Sequence, residues 1–139
     1  MLLIYRVYKD VSLAISSTTT TVNHDIWVVD SGALQCITKS KEMFVNMTKS
    51  KQHVSLTNGW KLRASGEGTA YCSCINERLP MLYVPRLIFN LLSVRAMVKA
   101  GFVVTFQGDK CLIKKQGKSV TARLDNCLFI IHDNPLINA

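Results

Sequence analysis

Apolar positions along this chain come in short runs, separated at close intervals by turn-forming residues. I-W-V-V, Ile26 to Val29, is aromatic and β-branched and predicts a strand. Asp30-Ser31-Gly32 breaks it, and a second strand follows over Leu34 to Thr38. Ser40 is placed to cap a short helical turn, K-E-M-F. H-V-S-L-T and W-K-L-R-A alternate apolar and polar residues on either side of Asn58-Gly59. Asn-Gly is a strong hairpin signal, because a type I′ turn needs positive φ at both central residues. Gly66 and Gly68 read as turn formers, with flap hinges as the other reading, ahead of a strand over Thr69 to Ile75. Met81 to Val84 predicts a strand stopped by Pro85, and Leu87 to Leu92 is strongly apolar. One helix is expected: Ser93 caps it, Val94, Met97 and Val98 form its stripe, and Gly101 ends it. Strands over Phe102 to Phe106, Cys111 to Lys115, Ser119 to Leu124 and Cys127 to Ile131 follow, divided by Q-G-D, Q-G and D-N turns. The fold expected is mostly β with one short helix, closed or sandwich-like. Trp27, Phe89, Leu91, Leu92 and Met97 are assigned to the core, while Trp60 beside Asn-Gly is divided between core and substrate contact.

Composition narrows the class. With 139 residues, 48% of them hydrophobic, the chain suits one domain and excludes a disordered tail. No apolar run approaches the ~20 residues that cross a bilayer. M-L-L-I-Y at the start is interrupted by Arg6, Lys9 and Asp10, a poor signal peptide. The expectation is an intracellular, cytoplasmic protein without a membrane partner. S-S-T-T-T-T, Ser16 to Thr21, is a low-complexity spacer. Residues 1–22 are therefore expected to be a poorly ordered leader or linker, 23–132 the domain, and 133–139 a tail.

The net charge of +8 is spread from Arg6 to Arg123, mostly beside turns. A solvated basic surface explains it, and weak, salt-sensitive RNA association is the alternative. Five cysteines form no C-x-x-C pair, and Cys72-x-Cys74 is thin evidence for metal. Reduced, structural thiols are expected, with no metal and no cofactor.

Asp30 carries the candidate chemistry. A D-S-G turn is common, and many aspartates cap turns at strand ends. A D-S-G phosphorylation signal would want a serine where Gln35 stands, on a flexible segment. A carboxylate ending an apolar strand is partly desolvated, however. Two such groups face to face share a proton, one serving as general base on water and the other as acid. No second D-S-G or D-T-G exists in the chain. Two copies about a two-fold axis would supply the second carboxylate. Ser31 could then bond across the axis, and Gly32 would permit close backbone approach.

Four blocks in order carry a family resemblance: W-V-V-D-S-G-A (Trp27 to Ala33), V-S-L-T-N-G-W-K-L-R-A-S-G-E-G (Val54 to Gly68), L-Y-V-P-R-L-I-F-N-L-L-S-V (Leu82 to Val94) and A-G-F-V-V-T-F (Ala100 to Phe106). The chain resembles the protease region of copia-type retrotransposon polyproteins, a branch of the retropepsin-like aspartic proteases. The likeness runs from about Asp25 to Ile131, roughly four fifths of the chain. It implies a retropepsin-like closed β-barrel protomer working as a homodimer. It implies Asp30 as the catalytic carboxylate, with Ser31 and Gly32 completing the triplet, and a flap closing over a polypeptide substrate, the parent polyprotein. Asn58, Gly59 and Trp60 are the candidate substrate-binding tip. It also implies that Leu87 to Leu92 and the following helix lie beside the active-site strand. The chain departs from relatives at L-Q-C, where many have a histidine or another polar residue, and at Asn90, where viral retropepsins have glycine. No zinc knuckle, integrase or reverse transcriptase flanks the domain, so an isolated fragment is expected. An active aspartic endopeptidase and an inactive remnant or repurposed interaction module of the same fold are the two functional expectations.

Overall fold

A computed structural model describes residues 26–55, 61–87 and 89–132. The leader, the tail and the hairpin tip Asn58, Gly59 and Trp60 lie outside the described residues. Strands β1 (Ile26–Asp30), β2 (Cys36–Thr38), β3 (Phe44–Thr48), β4 (His53–Ser55), β5 (Lys61–Arg63), β6 (Gly66–Cys72) and β7 (Glu77–Tyr83) come first. β8 (Asn90–Ser93), helix α1 (Val94–Lys99), β9 (Val103–Gln107), β10 (Lys110–Lys115), β11 (Lys118–Asp125) and β12 (Leu128–His132) follow. A 3-10 turn spans Lys41–Met43, where a short helical turn was expected. Ser40 precedes it, but its side chain makes no capping bond there.

Ten strands form one sheet in the order β3-β6-β7-β2-β8-β1-β12-β11-β10-β9. β4 and β5 pair separately as the expected hairpin, with Val54 opposite Leu62 and five residues between Ser55 and Lys61. The central strands are buried on both faces, which is why I-W-V-V does not alternate. Ile26 and Val28 join Ile37, Leu91 and Ile130 on one face, where Val54 and Ala64 of the β4–β5 region also pack. Trp27 and Val29 join Leu92, Met97, Phe102 and Ile113 on the other.

The sheet's two wings meet over that second face. Ala70, Cys72 and Leu79 of β6 and β7 share a cluster with Cys111, Ile113 and Ala122 of β10 and β11. At the rim, Lys115 and Lys118 reach Glu77 at 2.7 and 2.6 Å, and both ammonium groups lie over the Phe102 ring. Strands far apart in the sheet order are thus clasped together, giving a barrel-like body with one short helix.

Gly66 and Gly68 are not turn formers. Both sit within β6, Gly68 opposite Met47 of β3 and Gly66 opposite Tyr83 of β7. A Cβ on Gly68 would run into the Asn46 carbonyl, and one on Gly66 would meet the Met47 sulfur at 2.5 Å. Gly68 lets two backbones come close, and Gly66 leaves room for the Met47 side chain.

Candidate functional site

The site is built where β8 inserts between the two strands joined by the Asp30 turn. β1 runs parallel to β8, with Asp30 opposite Ser93 and Trp27 opposite Asn90. β2 lies antiparallel on the other side, with Ile37 opposite Leu91. Leu91 and Leu92 anchor the inserted strand in both cores, as its apolar sequence demands.

Two polar side chains on β8 tie the neighbouring strands together. Asn90 is fully buried. Its Oδ1 accepts from the Thr38 hydroxyl at 2.8 Å and the Lys39 amide at 3.0 Å, and its Nδ2 donates to the Ile26 carbonyl at 3.4 Å. Ser93 is also buried. Its hydroxyl donates to the Ala33 carbonyl at 2.8 Å and accepts the Ala96 amide at 3.1 Å, so one oxygen fixes the Asp30 loop and caps α1. The Ser93 amide donates to Cys36 Sγ at 3.3 Å, and burial pushes that thiol up to about 12.

Asp30 ends β1 with only 5% of its surface exposed. Oδ1 accepts the Gly32 amide at 2.8 Å, the bond that turns the chain back on itself. Oδ2 is buried with no hydrogen-bond partner among the described residues. Burial raises the carboxyl above its ordinary value of 3.8, and the Gly32 amide offsets part of that. The site therefore holds a carboxyl group that favours its proton and presents one oxygen without a partner.

Of the expected triplet, Asp30 is buried, Gly32 half-buried and Ser31 exposed at the turn. The structure brings all three together; Asn58, Gly59 and Trp60 lie outside the described residues. Leu34, just past the turn, exposes 52% of its surface. A relay absent from the sequence-based expectations joins the Asp30 loop to the base of the β4–β5 hairpin. Gln35 Nε2 donates to Gln52 Oε1 at 2.7 Å, and Gln52 Nε2 donates to Glu67 Oε1 at 3.3 Å. Gln35 and Gln52 carry no motif, so only their meeting in space reveals them. Among the described residues no group of three or more His, Cys, Asp or Glu side chains is arranged to hold a metal, and no helix is long and apolar enough to cross a membrane.

Sheet and site together define a class: a mostly β body in which an inserted strand clamps a desolvated aspartate at a strand-end turn. Residues 27–102 match the family model described as Pol polyprotein, beta-barrel domain, and the chain belongs to that family. Its origin is thus a retroelement polyprotein. No match to the chain was found among curated proteins or among solved structures.

Proposed function

We propose that this domain is an aspartic endopeptidase of the copia-type retrotransposon class, active as a homodimer on its parent polyprotein. The observation that carries the reading is Asp30: a proton-favouring carboxyl group with one oxygen fixed by Gly32 and the other unpartnered. A second Asp30 across a two-fold axis would give Oδ2 a partner, and the pair would share one proton. The ionised member then takes a proton from a water as it attacks the scissile carbonyl. The protonated member gives its proton to the substrate, and no covalent intermediate forms. Ser31, exposed beside the turn, supplies a hydroxyl toward the partner, and Leu34 supplies apolar surface for the seam. The Gln35–Gln52 bond gives the hairpin a direct link to the catalytic loop.

The test is cleavage of a peptide library by the chain and by Asp30→Asn between ~pH 4 and 7. The reading expects cleavage by the first and none by the second; cleavage surviving the substitution refutes it. A second reading, an inactive remnant or interaction module, is favoured by the near-complete burial of Asp30 within a single protomer. It expects folded protein and no cleavage from either chain.

A further inference from the structure

We propose that Cys72 and Cys74 form a reversible disulfide site at the turn between β6 and β7. Their sulfurs stand 3.2 Å apart, inside ordinary van der Waals contact. Cys72 ends β6 and is fully buried, whereas Cys74 lies in the following turn and is half-exposed. That gives the pair an outer thiol that a reagent can reach and an inner thiol already aimed at it. Cys36 and Cys111 are buried in the same core cluster, and Cys127 is exposed on a distant turn.

The chemistry is thiol–disulfide exchange with a low-molecular-weight disulfide such as oxidised glutathione. The Cys74 thiolate attacks one glutathione sulfur, forms a mixed disulfide and releases one glutathione thiol. The Cys72 thiolate then attacks the Cys74 sulfur and releases the second. The protein gives up two electrons and two protons, and one disulfide becomes two thiols. Closing the bond brings the sulfurs from 3.2 Å to about 2.05 Å, so the turn tightens.

That turn lies beside the contacts between the wings: its own Asn76 and the adjoining Glu77 of β7 take the bonds from β10 and β11. Tyr71 donates to Asn76 Oδ1 at 2.6 Å, Lys118 donates to the Asn76 carbonyl at 2.6 Å, and Glu77 holds both lysines. A redox change two residues upstream of Asn76 therefore acts on the clasp itself.

The experiment treats the folded chain of 139 residues with graded ratios of oxidised to reduced glutathione. Free thiols are trapped with N-ethylmaleimide and the modified cysteines mapped by mass spectrometry. The expected result is joint loss of alkylation at Cys72 and Cys74 in a peptide lighter by two hydrogens, reversed by dithiothreitol. Cys74→Ser should abolish that species while Cys127 still takes up glutathione, and Cys36→Ser should leave it intact, with circular dichroism confirming the fold of both variants. Three results would overturn the proposal: continued alkylation of both thiols where Cys127 already carries glutathione, a stable mixed disulfide on Cys74, or a bond between Cys72 and Cys36.

Discussion

Replacing Ser93 with alanine removes one oxygen that serves two elements, and the loss can be worked from its contacts. The Ala96 amide loses its cap, a change that typically costs about 1 kcal/mol. The Ala33 carbonyl loses a buried donor at 2.8 Å, and an acceptor left unpaired costs about 1–3 kcal/mol. Little cavity is created, because only one atom leaves. The expected total is about 2–4 kcal/mol. With a urea slope of about 2 kcal/mol/M, the denaturation midpoint should fall by about 1–2 M at fixed protein concentration, with the slope unchanged. Arg95→Ala, an exposed change in the same helix, is the control and should stay within about 0.5 kcal/mol. A Ser93→Ala shift no larger than the control's would refute the claim that β8 clamps the Asp30 loop through this hydroxyl.

Three other substitutions test separate parts of the account. Asp30 binds its proton more tightly in the fold than in the unfolded chain, so its contribution to stability is full below about pH 3.8 and is lost as pH rises through the higher folded value. Asp30→Asn should therefore gain stability relative to the native chain from pH 4 toward 7 in parallel urea titrations; a flat difference would mean the carboxyl is not desolvated. Hydrogen bonds from Lys115 and Lys118 hold the Glu77 carboxyl below its ordinary value of 4.5, so the clasp's contribution is present above that pH and is lost as pH falls through the lower folded value. Glu77→Gln should cost about 1 kcal/mol or less near neutrality, shrinking in high salt because the three groups are partly solvated; a salt-independent loss would contradict an ionic clasp. Asn126 and Cys127 carry φ of 50° and 74° in the turn between β11 and β12, a conformation that favours Asn-Gly. Cys127→Gly should raise stability by about 0.5–1 kcal/mol, as followed by thermal melting, and a lower melting temperature would remove backbone strain from the account.

The strands were legible because their signals are local. β-branched runs, turn dipeptides and a serine-capped helix ending at Gly101 each appear within a few residues, and the structure follows most of them to within a few positions, but β3 (Phe44–Thr48), whose F-V-N-M-T carries no clear alternation, was not foreseen. Asp30 was legible for the same reason: an apolar run that ends on a carboxylate before glycine is visible in the chain. Ser93 and Asn90 were harder to read, since each acts across more than fifty residues. Ser93 was recognised as a helix cap, but nothing local shows that the same hydroxyl reaches Ala33. The Gln35–Gln52 bond and the Glu77 clasp span fewer residues, 17 for the first and 38 and 41 for the second, but they too join separate elements and leave no local signal. Gly66 and Gly68 misled because glycine marks both turns and close approach, and only the nearness of Asn46 and Met47 of β3 distinguishes the two. At Ser40 the turn was foreseen, but the backbone makes it without the serine oxygen.

The central claim is that one carboxylate from each of two copies makes the site, and mixing tests it most directly. A fixed amount of native chain would be allowed to exchange with an equal amount of Asp30→Asn chain, and cleavage of a responsive peptide then followed. If both carboxylates are needed, mixed dimers are dead and random pairing cuts the activity to about half, falling further as the variant is added in excess. Activity that is unchanged by the variant, or cleavage absent from the native chain alone, would contradict the account.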